Sequence, residues 1–158
     1  MISITNSMDA NKKENRLAMW VCFIAYLLLL GYVLFYGSSF GRVEHDEYRY
    51  NLIFFQEINR YYGLGTRTGS WTLFFMNVVG NVVVFLPLGM FLPRLCVRCK
   101  KFIFTTLVSM ELSLCVELIQ LVTKVGSFDV DDIFLNTLGG ICGFIIYKIY
   151  RSMKKKRR

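Results

Sequence analysis

Gly126-Ser127-Phe128-Asp129-Val130-Asp131-Asp132-Ile133-Phe134-Leu135-Asn136-Thr137-Leu138-Gly139-Gly140 runs from an acidic cluster straight into an apolar helix that carries one Asn. On a helix, Asp129, Asp132, Asn136 and Gly140 follow at steps of three, four and four, so all share one face. Ile133, Phe134, Leu135, Leu138 and Ile141 take the remaining surface and suit lipid. A polar face that enters a membrane is costly unless other polar groups meet it. Partners for it are therefore expected on neighbouring spans.

The surrounding composition supplies such spans. The chain has 158 residues, 54% hydrophobic and 16% aromatic, with a mean hydropathy of +0.43. That is too apolar for a soluble domain of this length and too long for a single-span peptide. The net charge is +8, with seven basic residues from Lys148 to Arg158. In a soluble protein this excess would point to nucleic acid. Beside apolar runs it marks cytoplasmic flanks, and no nucleic-acid partner is expected.

Working outward, the reading is an all-α membrane protein: a four-helix bundle, residues 17–150 forming one domain. The spans are expected at about 17–36, 71–92, 102–122 and 133–150, each long enough to cross a bilayer. Residues 1–16 read as a frayed cytoplasmic tail and 151–158 as a basic one. The first span, with its basic start, is read as uncleaved, since no small-x-small cleavage site follows it. The Gly37–Ser70 loop mixes Arg42, Arg49, Arg60 and Arg67 with Glu44, Asp46, Glu47 and Glu57. Inside it, Leu52-Ile53-Phe54-Phe55, Ile58, Tyr61 and Tyr62 form an aromatic, amphipathic, extracytoplasmic segment, expected as a short helix in the outer interface. Pro87 is expected to kink the second span. Gly139 and Gly143 form a GxxxG pair that permits close helix packing.

Basic residues also set the orientation. The N-terminal tail, the Arg94–Lys101 turn and the C-terminal tail are basic, which places both termini in the cytoplasm of a multi-pass cell-membrane protein. The second span then starts outside, the third ends outside and the fourth starts outside. At ~1.5 Å per residue, Asn77, Glu117 and Asn136 each lie roughly 9 Å below the outer boundary. Asn77 and Asn81 are one turn apart and are expected to point the same way. Three helices thus present polar groups at one depth, with Asn81 and Ser113 deeper, and the binding candidates are Asn77, Asn81, Glu117, Gln120, Asp129, Asp132 and Asn136. Two readings stand at this point. The groups satisfy one another and hold the bundle together, or they line a pocket for a polar head group. Glu111 lies off the Glu117 face and is expected to stay protonated or to pair within the bundle.

Cysteine usage adds little. Of Cys22, Cys96, Cys99, Cys115 and Cys142, three fall in apolar runs, where Cys acts as a small hydrophobe. Cys96-Val97-Arg98-Cys99 is half of a zinc pattern without its other half, and His45 is the lone His, so a reduced pair in a cytosolic turn is the expectation.

The combined motif resembles the VanZ-like family. Asn77-x-x-x-Asn81, Phe85-Leu86-Pro87-Leu88-Gly89, Glu117-x-x-Gln120, Asp129-x-x-Asp132 and Asn136-Thr137-x-Gly139-Gly140 match its order and spacing, from Arg49 to Tyr147. Arg49-Tyr50-Asn51-Leu52-Ile53 resembles its segment after the first span, although Phe54 stands where the family usually has Pro, so a different local backbone is expected. The resemblance implies a bacterial envelope protein of a family whose namesake is an accessory factor in resistance to the glycopeptide antibiotic teicoplanin. It implies a shared polar site on Asn81, Glu117, Gln120, Asp129, Asp132 and Asn136.

Three functions fit. The first is a non-enzymatic factor, in contact with the bilayer, that binds a lipid-linked cell-wall intermediate or a glycopeptide and needs no cofactor. The second is a membrane enzyme, with Glu117 as candidate general base, Asp129 and Asp132 holding a divalent cation against a lipid phosphate, and Arg49 or Lys124 folding over as a phosphate clamp. The third is a small oligomeric transporter.

Overall fold

The apolar runs form helices, and two short polar segments hold their ends together. The computed structural model describes residues 2–36 and 48–157, with side chains at 16–35 and 48–157. Arg42, Glu44, His45, Asp46 and Glu47 lie outside the described residues. Helix α1 spans Ile2–Tyr36. A two-residue strand β1 (Tyr50–Asn51) and the amphipathic helix α2 (Gln56–Thr68) follow. Helix α3 covers Thr72–Leu95, α4 Phe102–Thr123 and α5 Val130–Lys156, with a second short strand β2 (Phe128–Asp129) just before α5. Among the described residues, α1, α3, α4 and α5 are long and apolar enough to cross a membrane, as the four-span bundle requires.

Helix ends depart from the sequence expectation. Residues 2–16 lie within α1, with no Pro or Gly to interrupt the helix. Helix α5 begins at Val130, where Asp129 caps it: the Asp129 side chain accepts the Asp131 N–H. The helix then runs on through Lys156, with Lys154, Lys155 and Lys156 in its last turn, where cations complement the dipole. Helix α3 contains a π-helical turn at Phe75–Val79 and continues through Pro87 and Pro93.

Close approach of backbones builds the core. Helices α3 and α5 are the most extensively packed pair, followed by α4 and α5. A methyl group at Gly139 would fall on the Val82 carbonyl, one at Gly143 on the Leu86 carbonyl, and one at Gly89 on the Gly140 carbonyl. Glycine is required at these crossings because only it lets the two chains touch. The Gly139/Gly143 pair therefore packs as its spacing predicts.

On its other side, Gly140 lies over Ser109 of α4. Thr105, Ser109, Ser113 and Glu117 recur every fourth residue and are all buried, so α4 turns a small, polar stripe to α5. The Ser109 hydroxyl returns to the Thr105 carbonyl at 2.9 Å, and Thr105 Oγ1 donates to the Cys99 carbonyl at 2.7 Å. Helix α1 closes the remaining side: Leu30 and Leu34 join Phe85, Leu88 and Val116 in one cluster. Leu135, which the helical-face reading sends to lipid, is buried with the core.

Candidate functional site

The polar residues converge where α1 and α4 end and α3 and α5 begin. Gly126 and the left-handed Lys124 (φ 58°) turn the chain from α4 back toward α5. That return strand, β2, pairs in parallel with β1, setting Tyr50 beside Phe128 and Asn51 beside Asp129. The Arg49 carbonyl accepts the Phe128 N–H at 3.0 Å. The segment after α1 is thereby stitched to the start of α5, and Arg49 enters the site through its backbone.

Each carboxylate then takes an N–H donor. Glu117 Oε2 accepts the Asp129 N–H at 2.9 Å. Asp129 Oδ1 accepts the Asp131 N–H at 2.8 Å and the Asn51 amide at 3.1 Å. Asp132 Oδ1 accepts the Asn81 amide. Burial pushes the Asp129 carboxyl up to about 6, against the Asp131 N–H, which favours the ionised form.

Asp131 is the residue that helical-face reasoning misses. It is only 1% exposed. Its Oδ1 accepts the Phe55 N–H, while Oδ2 accepts those of Glu57 at 3.0 Å and Ile58 at 3.3 Å. These are orphan donors at the start of α2, so one carboxylate from α5 caps a helix about 75 residues earlier in the chain. The cap also holds a turn. Gln56 N–H returns to the Ile53 carbonyl at 3.3 Å, and Phe55 is left-handed at φ 65°, ψ 8°. Among the described non-glycine residues, Phe54 is not left-handed, so the turn is type II with Phe54 at its second position. Proline is favoured there, so this backbone would accept Pro in place of Phe54.

The remaining candidates divide. Asn136 Nδ2 donates to Ser113 Oγ at 2.9 Å, and Asn136 Oδ1 is buried without a donor among the described residues. Gln120 Nε2 donates to the Leu34 carbonyl at 2.8 Å. That carbonyl belongs to the last turn of α1, so Gln120 ties the end of α1 to α4. Asn77 does not join. It lies inside the π turn, which breaks the regular one-turn step to Asn81, and its amide returns to Leu73 of its own helix at 2.9 Å. Glu111 is exposed on α4, facing away from the bundle.

Glu117, Gln120, Asp131 and Asn136 are each 1% exposed, and each is tied to a different neighbouring segment. Asp129 Oδ1 and Asp132 Oδ1 each accept a protein N–H group. Among the described residues no three His, Cys, Asp or Glu side chains converge on one point. What the network does hold is α2 and the loop before it. Tyr48, Tyr50, Leu52, Ile53, Phe54 and Phe55 are all exposed there.

Comparison with known proteins gives the same answer as the motif. The chain is 33% identical over 99 residues to Protein VanZ of Enterococcus faecium, a match covering 59% of this chain and 55% of that protein. It thus spans about half the length of the curated relative it matches. No solved structure matches the chain. The VanZ/LLP1 family model matches residues 23–151, which takes in the second and third spans whole, most of the first and fourth, the stitched segment and the carboxylate network, and the chain belongs to that family.

Proposed function

We propose that this multi-pass membrane protein is an accessory factor of the bacterial envelope. In this reading it binds an amphipathic envelope molecule, a lipid-linked cell-wall intermediate or a glycopeptide of the teicoplanin type, at the outer leaflet, without catalysing a reaction. The observation that carries the reading is the exposed apolar run Leu52-Ile53-Phe54-Phe55, fixed to the bundle by the buried Asp131 carboxylate. An exposed apolar patch on a rigid support is the usual form of a binding surface. Similarity to Protein VanZ supports the resistance context. The charge distribution supports cytoplasmic termini and an external α2.

The test is a host made dependent on this protein for glycopeptide resistance. Leu52→Ser with Ile53→Ser, at normal membrane abundance, is expected to restore susceptibility and to reduce surface binding of labelled drug. Unchanged resistance and binding in that variant would remove the loop from the function. Orientation is checked separately: a single cysteine at Gly63 should be labelled from outside intact cells, and a reporter after Arg158 should read as cytoplasmic.

A further inference from the structure

The Cys96-Val97-Arg98-Cys99 turn between α3 and α4 has no part in the carboxylate network and lies at the opposite end of the bundle. Its two thiols occupy different environments. Cys96 follows the last residue of α3 in extended backbone and is half-buried; Cys99 is 5% exposed, within the 3-10 turn Arg98–Lys100. Only Val97 and Arg98 separate the two cysteines, and the Cys99 thiol is placed to donate toward the Cys96 sulfur. Backbone N–H groups of Cys99 and Arg98 also point at Cys96. The turn is fixed from two sides. The Cys96 N–H returns to the Leu92 carbonyl at 2.9 Å, and Thr105 Oγ1 holds the Cys99 carbonyl at 2.7 Å. Arg94, Arg98, Lys100 and Lys101 flank the pair in sequence, and no acidic residue lies between Pro93 and Lys101.

We propose that Cys96 and Cys99 form a reversible dithiol–disulfide site, with Cys96 as the attacking sulfur and Cys99 as the resolving one. The co-reactant is a small-molecule disulfide. The Cys96 thiolate attacks one of its sulfurs, forming a mixed disulfide and expelling one thiolate. Cys99 then loses its proton and attacks the Cys96 sulfur, expelling the second thiolate. The protein's two thiols are oxidised to one disulfide, the small disulfide is reduced to two thiols, and the two cysteine protons end on those leaving groups.

The electrostatics fit this division. The Cys99 N–H, the Cys99 thiol and the Arg98 N–H together lower Cys96 below the ordinary thiol value. Burial, then the donation to Cys96, pushes Cys99 up to about 11, which keeps it a protonated donor until the mixed disulfide forms. The other cysteines lack this setting. Cys22, Cys115 and Cys142 are exposed on the apolar spans, so they serve as internal controls. A metal would need further ligands, and among the described residues no third His, Cys, Asp or Glu joins the pair.

The experiment uses purified full-length protein in detergent. With limiting iodoacetamide at pH 7, Cys96 is expected to alkylate roughly threefold or more faster than Cys115 or Cys142, since thiolate fraction outweighs lost nucleophilicity. Glutathione disulfide should then convert wild type to an internal Cys96–Cys99 disulfide, read by peptide mass spectrometry, and dithiothreitol should reverse it. Cys99→Ser should stop at a mixed disulfide on Cys96, and Cys96→Ser should form neither product. Equal alkylation rates across the cysteines would overturn the proposal. So would a wild-type protein that gives only intermolecular disulfides, or one that purifies with a metal whose removal frees both thiols. The wild-type readouts need no mutation, so a poorly folding Cys99→Ser does not rescue a failed result.

Discussion

Replacing Asp131 with Ala should release α2 from the bundle while leaving the spans folded. The Asp131 carboxylate accepts from Phe55, Glu57 and Ile58. A helix N-cap contributes about 1–2 kcal/mol, and a negative charge at the helix start about 1 kcal/mol more when partly buried. Water reaches the freed N–H groups once α2 moves, so the full penalty of three orphaned donors does not apply. The loss is therefore about 3 kcal/mol, or a factor of roughly 150 in the docking equilibrium of α2. It falls on α2 because the Gly-based contacts of α3 and α5 lie elsewhere. Hydrogen exchange read by mass spectrometry separates the two regions. Amides at 56–68 should exchange about a hundredfold faster in Asp131→Ala, in step with that factor, and those of α3, α4 and α5 should keep their protection. Asp131→Asn retains one acceptor oxygen and should fall between. Wild-type protection of α2 in Asp131→Ala, or a uniform loss across every helix, would refute the clamp.

Three further outcomes follow from the same contacts. Asp129 is raised to about 6 when folded, so the folded chain binds its proton more tightly than the unfolded chain. Its contribution to stability is fully present at low pH and fades as pH rises from about 4 through 6. Thermal unfolding of wild type and Asp129→Asn across that window should show the difference changing between those limits and flat above them. Gly139→Leu drives a side chain into the Val82 carbonyl and should cost at least the roughly 1–3 kcal/mol of ordinary overpacking, seen as lost folded yield in detergent. Phe54→Pro sets the backbone angle that the second position of a type II turn requires, and it should raise the stability of α2 docking by about 0.4–1 kcal/mol in the same exchange experiment.

The spans were legible because twenty apolar residues between basic or Gly-containing flanks have few alternatives in a membrane. Their packing was legible at Gly139 and Gly143, where the absence of a side chain is itself the signal. The site was half legible. Helical spacing put Asn81 and Asp132 on faces that meet, but it assumed that every polar group on the shared face looks across at another span. Gln120 instead ties the end of α1 to α4 and Asn77 folds back on its own helix, because each found a main-chain carbonyl closer than a side chain. Asp131 was missed for a related reason. Asp129 stops the helix by capping it, so residues 129 and 131 do not obey helical phase together, and the partner of Asp131 lies across a parallel strand pair that no local pattern announces. The π turn at Phe75–Val79 likewise leaves no mark in periodicity, yet it decides which way Asn77 faces.

The carboxylates of the network make physical sense only together. A buried carboxylate is destabilising unless donors replace the water it loses. Here the donors are main-chain N–H groups that themselves would be orphaned: that of Asp129 for Glu117, that of Asp131 for Asp129, and the first turn of α2 for Asp131. Each acid thus corrects a defect left by the next chain end, in a relay from α4 through β2 to α5 and on to α2. Removing any one acid leaves its successor's backbone unpaired, so the residues constrain one another although only neighbours touch. The last link carries the exposed run Leu52-Ile53-Phe54-Phe55. A rigid polar relay ending on an apolar surface fixes that surface relative to the spans. Substitutions deep in the relay, such as Glu117→Gln, should therefore act on function through the position of α2 rather than through any contact of their own with a ligand.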